Sequence, residues 1–161
     1  MKIYIIGSPA SGKTTLAKYL SNSNKIPYYE LDCVIYDDTI HKKRNKEEIN
    51  KLFNNIISKK NWIIEDVGRD IFNKGLDKAD KIYYIKISKL IIYYRVISRW
   101  LKEKTGKLDY NHPPTIKYLF TMLGYVKSFN EKDKLNKLNK YPNKLVILNR
   151  KDIKKLKEVN I

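Results

Sequence analysis

The chain has 161 residues, 42% of them hydrophobic, which is enough for one domain with a buried core and excludes neither an enzyme nor a binding module. Its formal net charge is +17, with 34 basic against 17 acidic residues, so an acidic scaffold or an acidic activation segment is excluded. No run of about twenty apolar residues occurs, which excludes a membrane span and predicts a chain with no membrane partner.

A strand is predicted over roughly 2–7, where Ile3-Tyr4-Ile5-Ile6 is apolar throughout, as in a parallel strand covered on both faces. Met1-Lys2 leads directly into it without room for a signal peptide, and the single cysteine, Cys33, fits a reducing compartment, so a cytoplasmic location is expected. Next comes Gly7-Ser8-Pro9-Ala10-Ser11-Gly12-Lys13-Thr14-Thr15, the spacing G-x-x-x-x-G-K-[ST] between a strand and a helix. Glycine-bounded backbone N–H groups and a helix N-terminus make a phosphate cradle. Lys13 reaches the outer phosphates and the Thr14 hydroxyl takes one position on Mg²⁺, so ATP and Mg²⁺ are the expected cofactors.

The P-loop helix is expected from Gly12 or Lys13 to about Ser21, followed by a second strand over Tyr28–Leu31. Asp32 ends that strand, at the edge where a parallel sheet binds its ligands, and is a candidate for catalysis and acceptor contact. Residues 33–45 lack periodicity and contain Asp37-Asp38, His41 and Arg44. They read as a substrate-facing segment, with Arg44 a tentative acceptor contact and His41 a surface residue.

Ile49, Leu52, Phe53, Ile56 and Ile57 recur at helical spacing within a helix from Glu47 to Lys59. A third strand, Asn61–Asp66, ends in two acids. A carboxylate there steers Mg²⁺ and its waters, and the sequence leaves open whether Glu65 or Asp66 does so. Arg69 sits on the same rim and is a tentative acceptor contact. A short helix near Asp70–Lys74, a break at Gly75 and a fourth strand over Lys81–Ile87 follow.

Leu90–Lys104 reads as a helix that carries Arg95 and Arg99 four residues apart, hence on one face. The polar loop Thr105–Pro114, with Gly106 as hinge, forms with the end of that helix a lid over about 99–114; His112 reads as loop structure. A helical region over 115–140, interrupted at Gly124 or Asn130, precedes the fifth strand, Leu145–Leu148. Asn149-Arg150 and a closing helix over Ile153–Val159 complete the chain. Strands alternating with helices from a P-loop predict α/β architecture with a parallel sheet over residues 1–161, without a second domain.

Phosphoryl transfer requires positioning and charge stabilisation more than covalent chemistry. Lys13, Thr14, Asp32, Glu65 or Asp66, Arg95 and Arg99 supply those parts. Only five of the 34 basic residues are arginine, and Arg69, Arg95, Arg99 and Arg150 fall on the rim, the lid or the base side, where a planar fork is not replaced by lysine. The lysines are scattered and read as a solvated surface, so a nucleic-acid partner is possible but not required. Asn149-Arg150-Lys151-Asp152 approximates the guanine-reading N-K-x-D loop, which keeps a GTPase-like alternative open beside a nucleic-acid-associated regulatory one. A monomer or weak dimer is expected.

The P-loop with its flanks, the strand end Tyr29-Glu30-Leu31-Asp32, Asn61-Trp62-Ile63-Ile64-Glu65 and Arg95-x-x-x-Arg99 together resemble the adenylate-kinase-like P-loop kinases. Within them the chain is most similar to the small FlaR-type proteins labelled DNA topology modulation proteins. The resemblance implies a three-layer fold with a five-stranded parallel sheet in the order 2-3-1-4-5, helices on both faces and a short lid. It implies an ATP-dependent kinase for a small nucleotide or metabolite, an acid–arginine pair matched by Glu65 and Arg69, a lid begun by Arg95 and Arg99, and an adenine border at Asn149 and Arg150. Asp66-Val67-Gly68-Arg69 departs from the Asp-Gly-Asn-Tyr of the FlaR-type pattern, the lid carries no cysteines for zinc, and 33–45 matches no acceptor signature.

Overall fold

The structure, a computed structural model, describes residues 1–37, 42–109 and 113–159. Asp38, His41 and His112 lie outside the described residues.

Five strands form one parallel sheet: β1 (Lys2–Gly7), β2 (Tyr28–Glu30), β5 (Trp62–Asp66), β6 (Lys81–Ile85) and β7 (Leu145–Leu148). Their spatial order is β2-β5-β1-β6-β7, the expected 2-3-1-4-5 once a two-stranded hairpin, β3 (Tyr36–Asp37) with β4 (Lys42–Lys43), is left out of the count. β1 is central and pairs with β5 on one side and β6 on the other. Because all pairings are parallel, every strand ends at the same edge, where the P-loop leaves β1.

Side-chain alternation along the strands sorts the core into two halves. Ile3, Ile5 and Ile63 join Leu16, Ala17 and Leu20 of α1 (Lys13–Asn24), Ile92 and Val96 of α5 (Lys89–Lys104) and Val126 of α6 (Ile116–Ser128). Tyr4, Ile6, Trp62 and Ile64 face the opposite way. They meet α2 (Leu31–Ile35), α3 (Lys46–Ser58), α4 (Asn73–Lys78) and, through Leu138, α7 (Glu131–Leu138). Ile153 and Leu156 of α8 (Arg150–Val159) pack on the α1 side. A twelve-residue helix is marginal alone, so α1 depends on burying Leu16, Ala17 and Leu20 against the sheet.

Two expectations, on Asp32 and on residues 33–45, need correction. β2 stops at Glu30, and Asp32 lies in the first turn of α2 instead of at a strand end. Residues 33–45 are not featureless: part of α2 and the β3–β4 hairpin occupy them. Of the two expected interruptions of 115–140, the one at Asn130 is observed: α6 and α7 are broken at Phe129-Asn130, and Gly124 continues α6. Gly106, expected as a hinge, ends α5. Its φ is +70°, Gly106 N–H donates to Glu103 O at 3.2 Å, and Lys107 N–H donates to Lys102 O at 2.8 Å, a paired closure of the last turn of α5.

Gly75, read from sequence as a break, is buried inside α4. A Cβ there would lie 2.7 Å from Tyr4 Cε2 and 3.0 Å from Phe53 Cζ, so glycine is needed for close approach of α4 to the sheet. Gly75→Ala should therefore destabilise the protein by about 1–3 kcal/mol through overpacking. Urea unfolding checks this, and an unchanged midpoint would show that the aromatic rings yield freely.

Candidate active site

The P-loop is wound tightly at the end of β1. Gly7 must be glycine because a Cβ would lie 2.8 Å from Ser11 Oγ and 3.2 Å from Ile85 O of the neighbouring strand. Ala10 and Gly12 take positive φ values of 58° and 101°. Ser11 N–H donates to Ser8 O at 3.2 Å, closing the turn, while the Ser8 and Ser11 hydroxyl oxygens are buried without a hydrogen-bond partner. Pro9 and Ala10 are half-buried and Thr15 is exposed.

Lys13 opens α1 and folds back over the loop, its Nζ donating to Ser8 O at 3.0 Å and lying 3.9 Å from Glu65 Oε2. Both side chains are buried, 9% and 7% exposed. Burial pulls the Lys13 ammonium below its ordinary pKa, against the opposing pull of Glu65, Asp66 and Asp32. Burial pushes the Glu65 carboxyl up, with Lys13 and the Thr14 hydroxyl opposing and Glu30 and Asp32 adding to the rise. Thr14 Oγ1 donates to Glu65 Oε1 at 2.8 Å.

Strand alternation separates the two acids at the end of β5. Glu65 follows Ile63 onto the α1 side, whereas Asp66 follows Ile64 onto the other. Asp66 is committed there to its own turn. Its Oδ2 accepts from Gly68 N–H at 2.8 Å and Arg69 N–H at 2.6 Å, and its Oδ1 accepts from the Arg69 guanidinium. Arg69 also donates to Asp32 Oδ1. Burial lowers the Arg69 pKa, but Asp66 and Asp32 outweigh it and hold the guanidinium above its ordinary value.

Glu65, beside the Thr14 hydroxyl and with its buried Oε2 accepting no hydrogen bond, is the acid whose surroundings fit an incoming cation. Among the described residues no three His, Cys, Asp or Glu side chains cluster as a metal site. A metal at this point would thus be shared with a ligand's oxygens, as the hard, oxygen-preferring Mg²⁺ is when phosphates complete its shell.

The remaining predicted residues divide. Arg95 Nη1 donates to Ala10 O at 3.2 Å and Ser11 O at 2.8 Å, gripping the P-loop from α5. Burial, then the nearby Arg150, lowers its pKa. Arg99 is not with Lys13: its Nε donates to Glu103 Oε1 at 2.7 Å, one turn along α5, where Glu103 is 3% exposed. A groove between the P-loop and helices α5 and α6 is lined by Ala10, Arg99, Trp100, Glu103, Tyr118 and Met122. Arg44 turns away from the acceptor side, donating to Cys33 O at 2.6 Å and Tyr36 O at 2.7 Å and pairing with Asp37 at 3.0 Å, so it closes the end of α2. Asn149 Oδ1 accepts from Lys151 and Asp152 N–H, and Asp152 Oδ2 accepts from Asn149 N–H at 2.9 Å. Asn149 thereby caps α8 and Asp152 closes the capping box from the first turn, so the carboxylate that a guanine-reading loop would present is occupied.

Two site residues escaped the sequence reading. Glu30 is the register partner of Glu65 on the adjacent strand. Glu103 was signalled only by its position four residues after Arg99.

No protein-family model matches the chain. Over 138 residues it is 28% identical to an adenylate kinase of Wigglesworthia glossinidia brevipalpis, a match covering 72% of this chain and 66% of that protein; the chain spans just under two thirds of that relative's length. A shikimate kinase from Bacteroides thetaiotaomicron superposes with a TM-score of 0.60 at 15% identity, covering 99% of this chain and 97% of that one. A gluconokinase from Sinorhizobium meliloti 1021 superposes with a TM-score of 0.55 at 13% identity, covering 92% and 81%. These likenesses establish the fold of P-loop kinases.

Asp66→Asn keeps the shape of the side chain but removes the charge that receives three donors. It should cost about 1–3 kcal/mol in urea unfolding. A wild-type midpoint in this variant would show that the turn at Gly68 holds itself.

Proposed function

We propose that this chain is an ATP-dependent phosphotransferase acting on a small nucleotide or metabolite, in the manner of the adenylate-kinase-like and FlaR-type proteins it resembles. The observation that carries the reading is the convergence of Lys13, Thr14 and Glu65 at the mouth of a P-loop whose inner hydroxyls are buried and unpartnered.

On this reading the backbone N–H groups over Gly7–Thr15 and the start of α1 hold the donor phosphates, with Lys13 on the outer ones. Thr14 and Glu65 would hold Mg²⁺ with its waters; when bound, the metal supplies positive charge at the phosphate oxygens. Asn149 and Arg150 border the base. Asp32 accepts the proton of the acceptor hydroxyl as its oxygen attacks the γ-phosphorus. The bond from that phosphorus to the β,γ-bridging oxygen breaks, and ADP leaves. Arg95 and Arg99 stabilise the charge of the transferring group, and the lid over about 99–114 closes to exclude water, which would otherwise hydrolyse the donor.

A GTPase-type reading gains no support, because the Asn149 and Asp152 side chains cap a helix and paired lid arginines have no role in it. No helix among the described residues is long and apolar enough to cross a membrane.

Lys13→Ala should abolish ADP formation with any acceptor while far-UV circular dichroism stays as in the parent; retained turnover would refute the P-loop assignment. Arg99→Lys should lower the transfer rate more than it weakens ATP binding, and equal losses would mean that the fork does not favour the transition state. Mg²⁺-dependent ATP affinity should fall as pH drops, because protonated Glu65 cannot hold the metal. Since burial raises this carboxyl, the midpoint should lie above the ordinary value of about 4.3. In Glu65→Gln only the pH dependence owed to protonation of ATP itself should remain, and an unchanged profile there would transfer the role to another acid.

A further inference from the structure

The acceptor side of the site has the opposite charge balance to the rest of the chain. Overall, basic residues outnumber acidic ones 34 to 17. Around the ends of β2 and β5 the ratio inverts. Glu30 and Glu65 are register partners, Asp66 adjoins Glu65 in sequence, and Arg69 joins Asp66 to Asp32. Lys13 completes the group at 3.9 Å from Glu65. The pKa influences run through the same set: Lys13 senses Glu65, Asp66, Asp32 and Arg69, and Glu65 senses Glu30 and Asp32. Four carboxylates therefore lie about this sheet edge with two cations, Glu30 and Glu65 on the α1 side and Asp66, joined through Arg69 to Asp32, on the other.

Neither cation is spare. Lys13 belongs to the donor phosphates, and Arg69 is held by two carboxylates at once. Arg44, the other arginine of this side, is spent on Asp37 and the carbonyls at the end of α2. Lys134 reaches the same turn from α7, but its ammonium donates to Gly68 O at 2.6 Å, and counting it still leaves acids in the majority. The Asp32 side chain is 63% exposed, so its carboxylate remains presented toward the open side of the site. Glu65 Oε2, buried 3.9 Å from Lys13 Nζ and accepting no hydrogen bond, is the metal-facing atom of the donor side.

From this arrangement we infer that the phosphoryl acceptor is a hydroxyl compound that is uncharged or cationic, such as a nucleoside, a sugar or an amino alcohol, and not a nucleoside monophosphate. The inference rests on the kinase reading above and narrows its acceptor. A monophosphate dianion is bound where unspent arginines form a fork around it. Here it would have to displace Asp32 from Arg69, whose guanidinium stays paired with the buried Asp66, and would meet the charge of Glu30 at the end of the neighbouring strand. A neutral or cationic hydroxyl meets no such opposition, and the carboxylate of Asp32 is the group suited to receive its proton. The product is then a phosphate monoester that leaves a negatively charged rim, so the same charges that reject a monophosphate acceptor assist release of the product.

Two titrations test this separately from the parent reading. A non-hydrolysable ATP analogue with Mg²⁺ is first titrated calorimetrically into the protein and into Lys13→Ala. Binding that is absent, or unaffected by the substitution, sinks the kinase reading. Adenosine 5′-monophosphate is then titrated into protein saturated with the analogue, and into the double variant Glu30→Gln/Asp32→Asn, with the fold checked by circular dichroism. The parent should bind the monophosphate more weakly than about 1 mM, and the variant should gain roughly tenfold or more as like charges are removed. Micromolar binding to the parent overturns the acceptor class while leaving the kinase reading intact. Failure of the variant to gain overturns it equally, because the carboxylates would then not be what excludes the anion.

Discussion

A lysine ammonium buried at the mouth of a backbone loop constrains most of this structure. Transferring such a charge from water is costly unless partners are in place, and Lys13 has a carbonyl at 3.0 Å and a carboxylate at 3.9 Å. Those partners come from different parts of the chain, Ser8 from the loop itself and Glu65 from a strand fifty residues later. The loop must turn sharply for Lys13 to reach back over it, which positive φ at Ala10 and Gly12 permits. Gly7 must lie flat against Ile85, so β6 has to flank β1 on one side while β5 brings Glu65 on the other. The central place of β1 and the parallel direction of its neighbours are thus tied to one side chain's environment.

The same strand geometry divides labour among the acids. Consecutive residues of a strand point to opposite faces, so Glu65 and Asp66 cannot serve the same purpose. Glu65 meets Thr14 and Lys13, whereas Asp66 receives two backbone N–H groups and a guanidinium and so fixes the turn carrying Arg69. Arg69 in turn fixes Asp32, the one carboxylate of the group that is largely exposed. Rigidity is handed along a chain of charged hydrogen bonds from the buried strand to the open rim, which holds an exposed carboxylate in place without burying it.

Much of this was legible in the sequence because it rests on local chemistry. The apolar run at Ile3-Tyr4-Ile5-Ile6, the glycine spacing of the P-loop and the helical stripe of Ile49, Phe53, Ile56 and Ile57 each carry their own period, and each element formed where expected. What escaped depends on contacts between distant segments. Gly75 looks like a helix breaker until Tyr4 and Phe53 are seen pressing on it. Asp32 looks like a strand end because nothing local announces α2, a five-residue helix that Leu31, Val34 and Ile35 hold by burial. Arg44 looked available for a ligand because its acceptors are backbone carbonyls, which a sequence does not display. Whether Glu65 or Asp66 faces the P-loop is a matter of strand parity, and parity is set by which residue of β5 pairs with β1.

Arg99 links the lid to the helix that carries it. Its present partner, Glu103, is almost wholly buried, and a buried carboxylate deprived of its cation is strongly unfavourable. On the proposed reading Arg99 must leave Glu103 to reach a transferring phosphoryl group, so closure cannot be a simple swing of a side chain. Glu103 lies in the last turn of α5, which ends at Gly106 by two backbone hydrogen bonds, one of them to the Glu103 carbonyl. Exposing Glu103 to water therefore means loosening that turn, which on the proposed reading begins the lid. The affinity of Arg99 for phosphate has to exceed its affinity for Glu103, and this occurs only when phosphate charge is present. On that reading the Arg99–Glu103 pair would hold Arg99 away from the P-loop until donor charge arrives.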